Sequence, residues 1–97
     1  MKQRFLEITY RKGKPLAAYL YLPRNTGDKS ARSDRQEAGL LIDYAADGRA
    51  IGIEITAPSK TTLAAVNQAL AAAGQEPLAA DDFAPLLAGQ PVRAVSA

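Results

Sequence analysis

Two carboxylates, Asp43 and Glu54, are the residues in this chain whose spacing could do chemistry. They lie in the two apolar runs, 40–44 and 51–55, that flank Asp47-Gly48. Asp-Gly between alternating apolar residues predicts a hairpin whose two turn positions both take positive φ. An even-length loop sets Leu40, Ile42 and Tyr44 beside Ile51, Ile53 and Ile55 on one face. Leu41, Asp43, Gly52 and Glu54 then share the other. Asp43 and Glu54 become cross-strand or diagonal neighbours, an arrangement that can pass a proton or hold a hard cation. Without a third ligand or a histidine the pair falls short of either, so both acids are expected to be solvated on the open face, against Arg or Lys.

The remaining catalytic vocabulary is thin. The chain has no histidine and no cysteine, which removes the usual neutral-pH base, the commonest metal ligand, thiolate chemistry and disulfides. Ser30, Ser33, Ser59 and Ser96 have no imidazole to activate them. Phosphate-binding glycine loops, nucleophile elbows and zinc signatures are all missing. A non-enzyme is therefore expected, with no catalytic, cofactor-binding or metal-ligating residue.

The elements that would position such residues can be read in order. Residues 5–10 alternate as a strand, with Leu6, Ile8 and Tyr10 on one side and Phe5, Glu7 and Thr9 on the other. A five-residue turn, 11–15, leads to a second strand, 16–22. The pairing sets Tyr10 opposite Leu16, Ile8 opposite Ala18 and Leu6 opposite Leu20. Residues 23–36 hold no large apolar side chain and read as a long, mobile, charged connector. A helix follows from Lys60 to Ala73, capped by Ser59 or Thr61, with Leu63, Val66, Ala69, Leu70 and Ala73 as its apolar stripe. A short second helical turn is expected from Asp81 to Leu87, with Phe83, Leu86 and Leu87 as contacts and Pro85 near its start.

These elements predict an α+β fold, a four-stranded antiparallel sheet built as a meander of two hairpins. One face is covered by the C-terminal helix. Residues 1–97 form one domain, comprising the sheet (4–56), the flexible loop (23–36), the helical segment (59–88) and a frayed tail (90–97). No apolar run approaches the roughly 20 residues of a membrane span, and the first residues do not read as a signal peptide. A soluble cytoplasmic protein is expected.

Even-numbered residues of the first three strands and odd-numbered residues of 51–55 point inward in this scheme, so Phe5, Tyr19, Tyr21 and Leu41 gather on the open face with Asp43 and Glu54. Aromatic residues on a flat face resemble an interface, and these six are the candidate partner-binding residues. The partner expected first is a second copy of the chain. The competing expectation is that residues 78–88 wrap round and cover that face. Residues 1–35 hold nine Lys or Arg against three acids, while residues 36–97 hold three against seven. A basic first third can meet nucleic acid. The cations of 24–35 alternate with acids and have no aromatic among them, so nucleic acid is not the expected partner.

The run ITYRKGKPLAAYLYL, followed by E-x-G-L-L-I-D-Y-A-A-D-G-R-A-I-G-I-E-I, resembles the domain-of-unknown-function family 2283, small uncharacterised bacterial proteins. The resemblance covers residues 8–55, and its corresponding positions are Tyr10, Tyr19, Glu37, Asp43, Tyr44, Gly48, Gly52, Glu54 and Ser59. Arg11 stands where that family commonly has an acid, and the 23–36 connector is longer than usual. The resemblance implies an antitoxin-like role toward a small ribonuclease-type toxin, because members are often encoded beside such proteins.

Overall fold

The computed structural model describes residues 3–87. Five strands form one antiparallel sheet: β1 (Phe5–Arg11), β2 (Lys14–Tyr21), β3 (Arg32–Arg35), β4 (Leu40–Tyr44) and β5 (Ala50–Ile55). Their spatial order is β1-β2-β5-β4-β3. A 3-10 turn (Pro58–Lys60), helix α1 (Leu63–Ala72) and helix α2 (Ala80–Leu87) follow. The α+β class and the antiparallel sheet are as expected. The strand count and the meander are not.

The extra strand comes from the connector. Arg32–Arg35 pairs with β4 as the sheet's edge, Ser33 opposite Asp43 and Arg35 opposite Leu41. Backbone bonds at its ends, Ala31 N to Tyr44 O (2.8 Å) and Gln36 N to Leu40 O (2.7 Å), extend the ladder. An edge strand needs apolar side chains on neither face, and charge there discourages pairing with another chain. A polar composition therefore hid it.

The order is crossed for a related reason. After β2 the chain passes the turn end of the β4–β5 hairpin before it returns as β3, so β5 rather than β3 occupies the place beside β2. Ten residues from Leu22 to Ala31 reach up to about 33 Å, ample for three strand spacings of roughly 4.8 Å. The crossing is tied down on the way. Arg49, just beyond the turn, donates to both oxygens of Asp28 (3.0 and 2.9 Å) and to Asp47 (2.7 Å). Its guanidinium holds both carboxyls below the ordinary aspartate range. The connector is thus bonded at its middle through Asp28 and along its last residues through the β3–β4 ladder.

The two hairpin turns exchange the geometries expected of them. Lys12 (φ 53) and Gly13 (φ 77) both take positive φ and close a two-residue turn with Arg11 opposite Lys14. Past it the register shifts, so Tyr10 meets Pro15 rather than Leu16. At Asp47-Gly48 only the glycine is left-handed (φ 94), within a loop closed by Gly48 N to Ala45 O and Ala45 N to Arg49 O. That is a type I turn with a bulge. A second shift then sets Tyr44 opposite Ala50 rather than Ile51.

Beyond these shifts the expected pairs hold: Leu6 with Leu20, Ile8 with Ala18, Ile42 with Ile53, and Leu40 with Ile55. β5 joins the two hairpins through Leu20–Ile53 and Ala18–Ile55. Even-numbered residues of β1, β2 and β4 and odd-numbered residues of β5 thus line one face. Leu20, Leu40, Ile42, Ile53 and Ile55 are buried there with Val66, Ala69 and Leu70 of α1 and with Leu78, Phe83 and Leu86. Helix α2 therefore packs on the same side as α1, and residues 78–87 do not cover the opposite face.

Thr62, not Ser59 or Thr61, caps α1, its hydroxyl accepting from Ala65 N at 3.1 Å. Thr61 is buried and shares its hydroxyl between Ala57 O (2.9 Å) and Ala38 O (3.3 Å). Asn67 clamps the α1–α2 connection, accepting from Leu78 N (2.7 Å) and donating to Leu78 O (3.3 Å). Pro85 is the sixth of eight helical residues, so only one internal bond is lost. The tail of 90–97 lies outside the described residues, as does residue 88. No described helix is long and apolar enough to cross a membrane.

Candidate functional site

The face without helices is built from odd-numbered residues of β1, β2, β3 and β4 and even-numbered residues of β5. Register alone places Phe5, Tyr21, Gly52, Asp43 and Ser33 in one row across all five strands. Glu7, Tyr19, Glu54, Leu41 and Arg35 form the next. All six candidate partner-binding residues are on this face.

Its aromatic half is continuous. Phe5 stacks on Tyr21 with ring centroids 4.5 Å apart, and Tyr21 meets Tyr19 edge-on at 4.7 Å. Such pairs are worth about 0.5–1.5 kcal/mol beyond the area they bury. The Arg24 guanidinium lies 5.0 Å from the Tyr21 ring centre and 5.9 Å from that of Tyr19. Phe5 stays 47% exposed. Tyr21 donates to Glu7 at 3.1 Å, and that bond raises its phenol above the ordinary range.

The polar half is organised by one side chain. Tyr19 pairs with Glu54 along the ladder, yet its ring leans diagonally across Gly52 to donate to Asp43 Oδ2 at 2.8 Å. A Cβ on Gly52 would stand 1.9 Å from the Tyr19 hydroxyl oxygen. The missing side chain is what lets the ring lie there. Ser33 Oγ donates to Asp43 Oδ1 from the far edge, and Arg24 Nη2 donates to the Tyr19 hydroxyl (3.3 Å) and to Ile51 O. One cluster thereby ties β2, β5, β4 and β3 together. Burial, then the bond to Asp43, pushes the Tyr19 phenol up to about 12.

Asp43 is accordingly not the solvated surface acid expected of it. It is 4% exposed, with each oxygen already accepting a hydroxyl. Glu54 leans on the same carboxyl. Their shared hydrogen bond, then burial and the Asp43 charge, raise Glu54 above the ordinary glutamate range. When Glu54 is protonated, its proton can lie between the two strands. With each Asp43 oxygen accepting a hydroxyl from within the fold, the arrangement clasps the strands together. Among the described residues no group of three or more His, Cys, Asp or Glu could hold a metal ion.

The raised Glu54 value fixes the sign of a pH effect. The folded state binds the proton more tightly than the unfolded chain, so the pair's full contribution is present at acid pH. It is lost as pH rises through the folded-state value. Urea unfolding between pH 4 and 8 is expected to show wild type losing stability relative to Glu54→Gln as pH rises above the ordinary glutamate range. A difference independent of pH would contradict the shared proton.

Three members of the cluster escaped sequence reasoning. Gly52 carried a signal, since an isolated glycine within a strand marks a close approach. Ser33 and Arg24 carried none, because their roles depend on where the crossed connector brings them.

A family model described as "Protein of unknown function (DUF2283)" matches residues 17–58. The match begins inside β2 and ends at the 3-10 turn, so it leaves out β1, both helices, Tyr10 and Ser59. Tyr19, Arg24, Ser33, Asp43, Gly52 and Glu54 all lie within it. No curated protein and no solved structure matches the chain.

Proposed function

We infer that this is a non-catalytic binding domain that pairs with a second copy of itself through the helix-free sheet face. The observation that carries the reading is the continuous aromatic row of exposed Phe5 and half-buried Tyr21 and Tyr19, with half-buried Leu41 two strands away, on a face that neither described helix covers. Charge does not forbid self-pairing: Glu7, Asp43 and Glu54 share the face with Arg24 and Arg35, so each face brings cations as well as acids to the contact.

Size sets the strength. Five strands at about 4.8 Å and five residues at about 3.4 Å give a flat footprint of roughly 400 Å². Standard interfaces bury about 800 Å² per partner, so the dimer belongs to the weak, transient class. Light scattering on a concentration series is expected to rise from the 10.3 kDa chain mass toward twice that value in the high micromolar range. Leu41→Glu, at a half-buried position, is expected to keep the fold and abolish the rise. A wild-type monomer throughout would refute self-pairing.

A further inference from the structure

The β1–β2 hairpin outruns the sheet that holds it. Its last partner on β5 is Ile55, opposite Ala18, so residues 9–17 extend as a two-stranded ribbon. Five residues from Ala18 to the turn carry it roughly 17 Å further at about 3.3 Å each. Every residue from Thr9 to Lys14 is exposed. Tyr10 and Leu16, each 51% exposed, leave apolar surface on the same ribbon.

Its charges are uncompensated. The ribbon holds Arg11, Lys12 and Lys14 and no acid. None of the three forms an ion pair among the described residues. Arg11 and Lys14 are direct cross-strand partners, a like-charge placement that opposes pairing. Lys12 occupies a left-handed turn position where Gly, Asn or Asp fits with less strain. Both features work against the hairpin, and an anion arriving from outside would relieve the repulsion between Arg11 and Lys14.

We propose that this ribbon is a contact for duplex DNA, with Arg11, Lys12 and Lys14 on backbone phosphates and Tyr10 and Leu16 against sugar or base edges. A two-stranded ribbon fits the B-form major groove, about 12 Å wide. Arg11 on one strand and Lys14 on the other are placed for the two walls of a groove, which a flat lipid surface does not offer. Three phosphate contacts give weak, sequence-tolerant binding, with log affinity falling against log salt at a slope of about −2.7. The site is separate from the helix-free face, and its assay does not read self-pairing at low protein concentration.

The test is fluorescence anisotropy of a labelled mixed-sequence duplex of about 20 bp, titrated with the full chain from about 20 mM salt upward. Wild type is expected to bind at low salt with the stated slope. Arg11→Gln/Lys12→Gln/Lys14→Gln is expected to lose about tenfold or more in affinity and most of the slope, with its urea midpoint retained. Tyr10→Ala is expected to weaken binding several-fold without changing the slope. Three results would overturn the proposal: no wild-type binding at the lowest salt, a triple variant that binds like wild type, or binding to phosphatidylserine vesicles with none to the duplex.

Discussion

Gly52→Ala is expected to destabilise the protein by about 2 kcal/mol, although it adds one methyl group to a strand. The new Cβ would stand 2.2 Å from Tyr19 Cζ and 2.4 Å from Cε2 as well as against the hydroxyl. The ring must swing away, which strips Asp43 of one of its two hydroxyl donors in a buried place. A hydrogen bond to a charged group is worth roughly 1.5–3 kcal/mol, and strand propensity returns only part of that. The Tyr19→Ala background reverses the sign. With the ring gone the three nearest obstacles to the methyl go with it, and because Gly52 is not left-handed, alanine there should stabilise by about 0.4–1 kcal/mol. Urea unfolding of the four proteins gives the coupling directly. Two effects that simply add would show that Tyr19 does not rest on Gly52.

Ile53→Ala is expected to cost about 3–4 kcal/mol, a large part of the stability of a domain this size. Ile53 is fully buried between Leu20 on β2 and Ile42 on β4, beneath the helices. That central place exists only because β5 lies inside the sheet. In a meander of two hairpins β5 would be an edge, and the same truncation would leave a smaller, partly relaxed gap. Leu16→Ala is the paired comparison. The alternation pattern gives it the same inward direction, yet the shift at Tyr10 leaves it half-exposed on the ribbon. Its loss should be under about 1 kcal/mol. Similar costs at the two positions would argue for the meander.

These two positions mark how far the residues speak for themselves. Period-two alternation is local, so the inward face of each strand was legible from Leu6, Leu20, Ile42 and Ile53 alone. The order of strands is not local. It is set by a connector whose Asp28 reaches Arg49 across the β4–β5 turn, a contact between residues 21 apart with no spacing signature. Turn type was misjudged for a related reason: Asp-Gly and Lys-Gly each supply one glycine, and the flanking register decides whether the neighbour must also go left-handed. The candidate face was legible because it is the complement of the core face. The clasp within it was not, since the diagonal reach of Tyr19 over Gly52 needs β2 and β5 to be neighbours. Nothing in the alternation alone predicts that they are.

The most direct measurement of whether the helix-free face is a contact surface is its amide NMR spectrum on dilution from high to low micromolar concentration. Phe5, Tyr19, Tyr21, Leu41 and Glu54 are expected to shift together along one isotherm, while α1 and the Asp28–Arg49 corner stay still. A spectrum unchanged by dilution, or one whose shifts gather on the helices or on β3 instead, would contradict it.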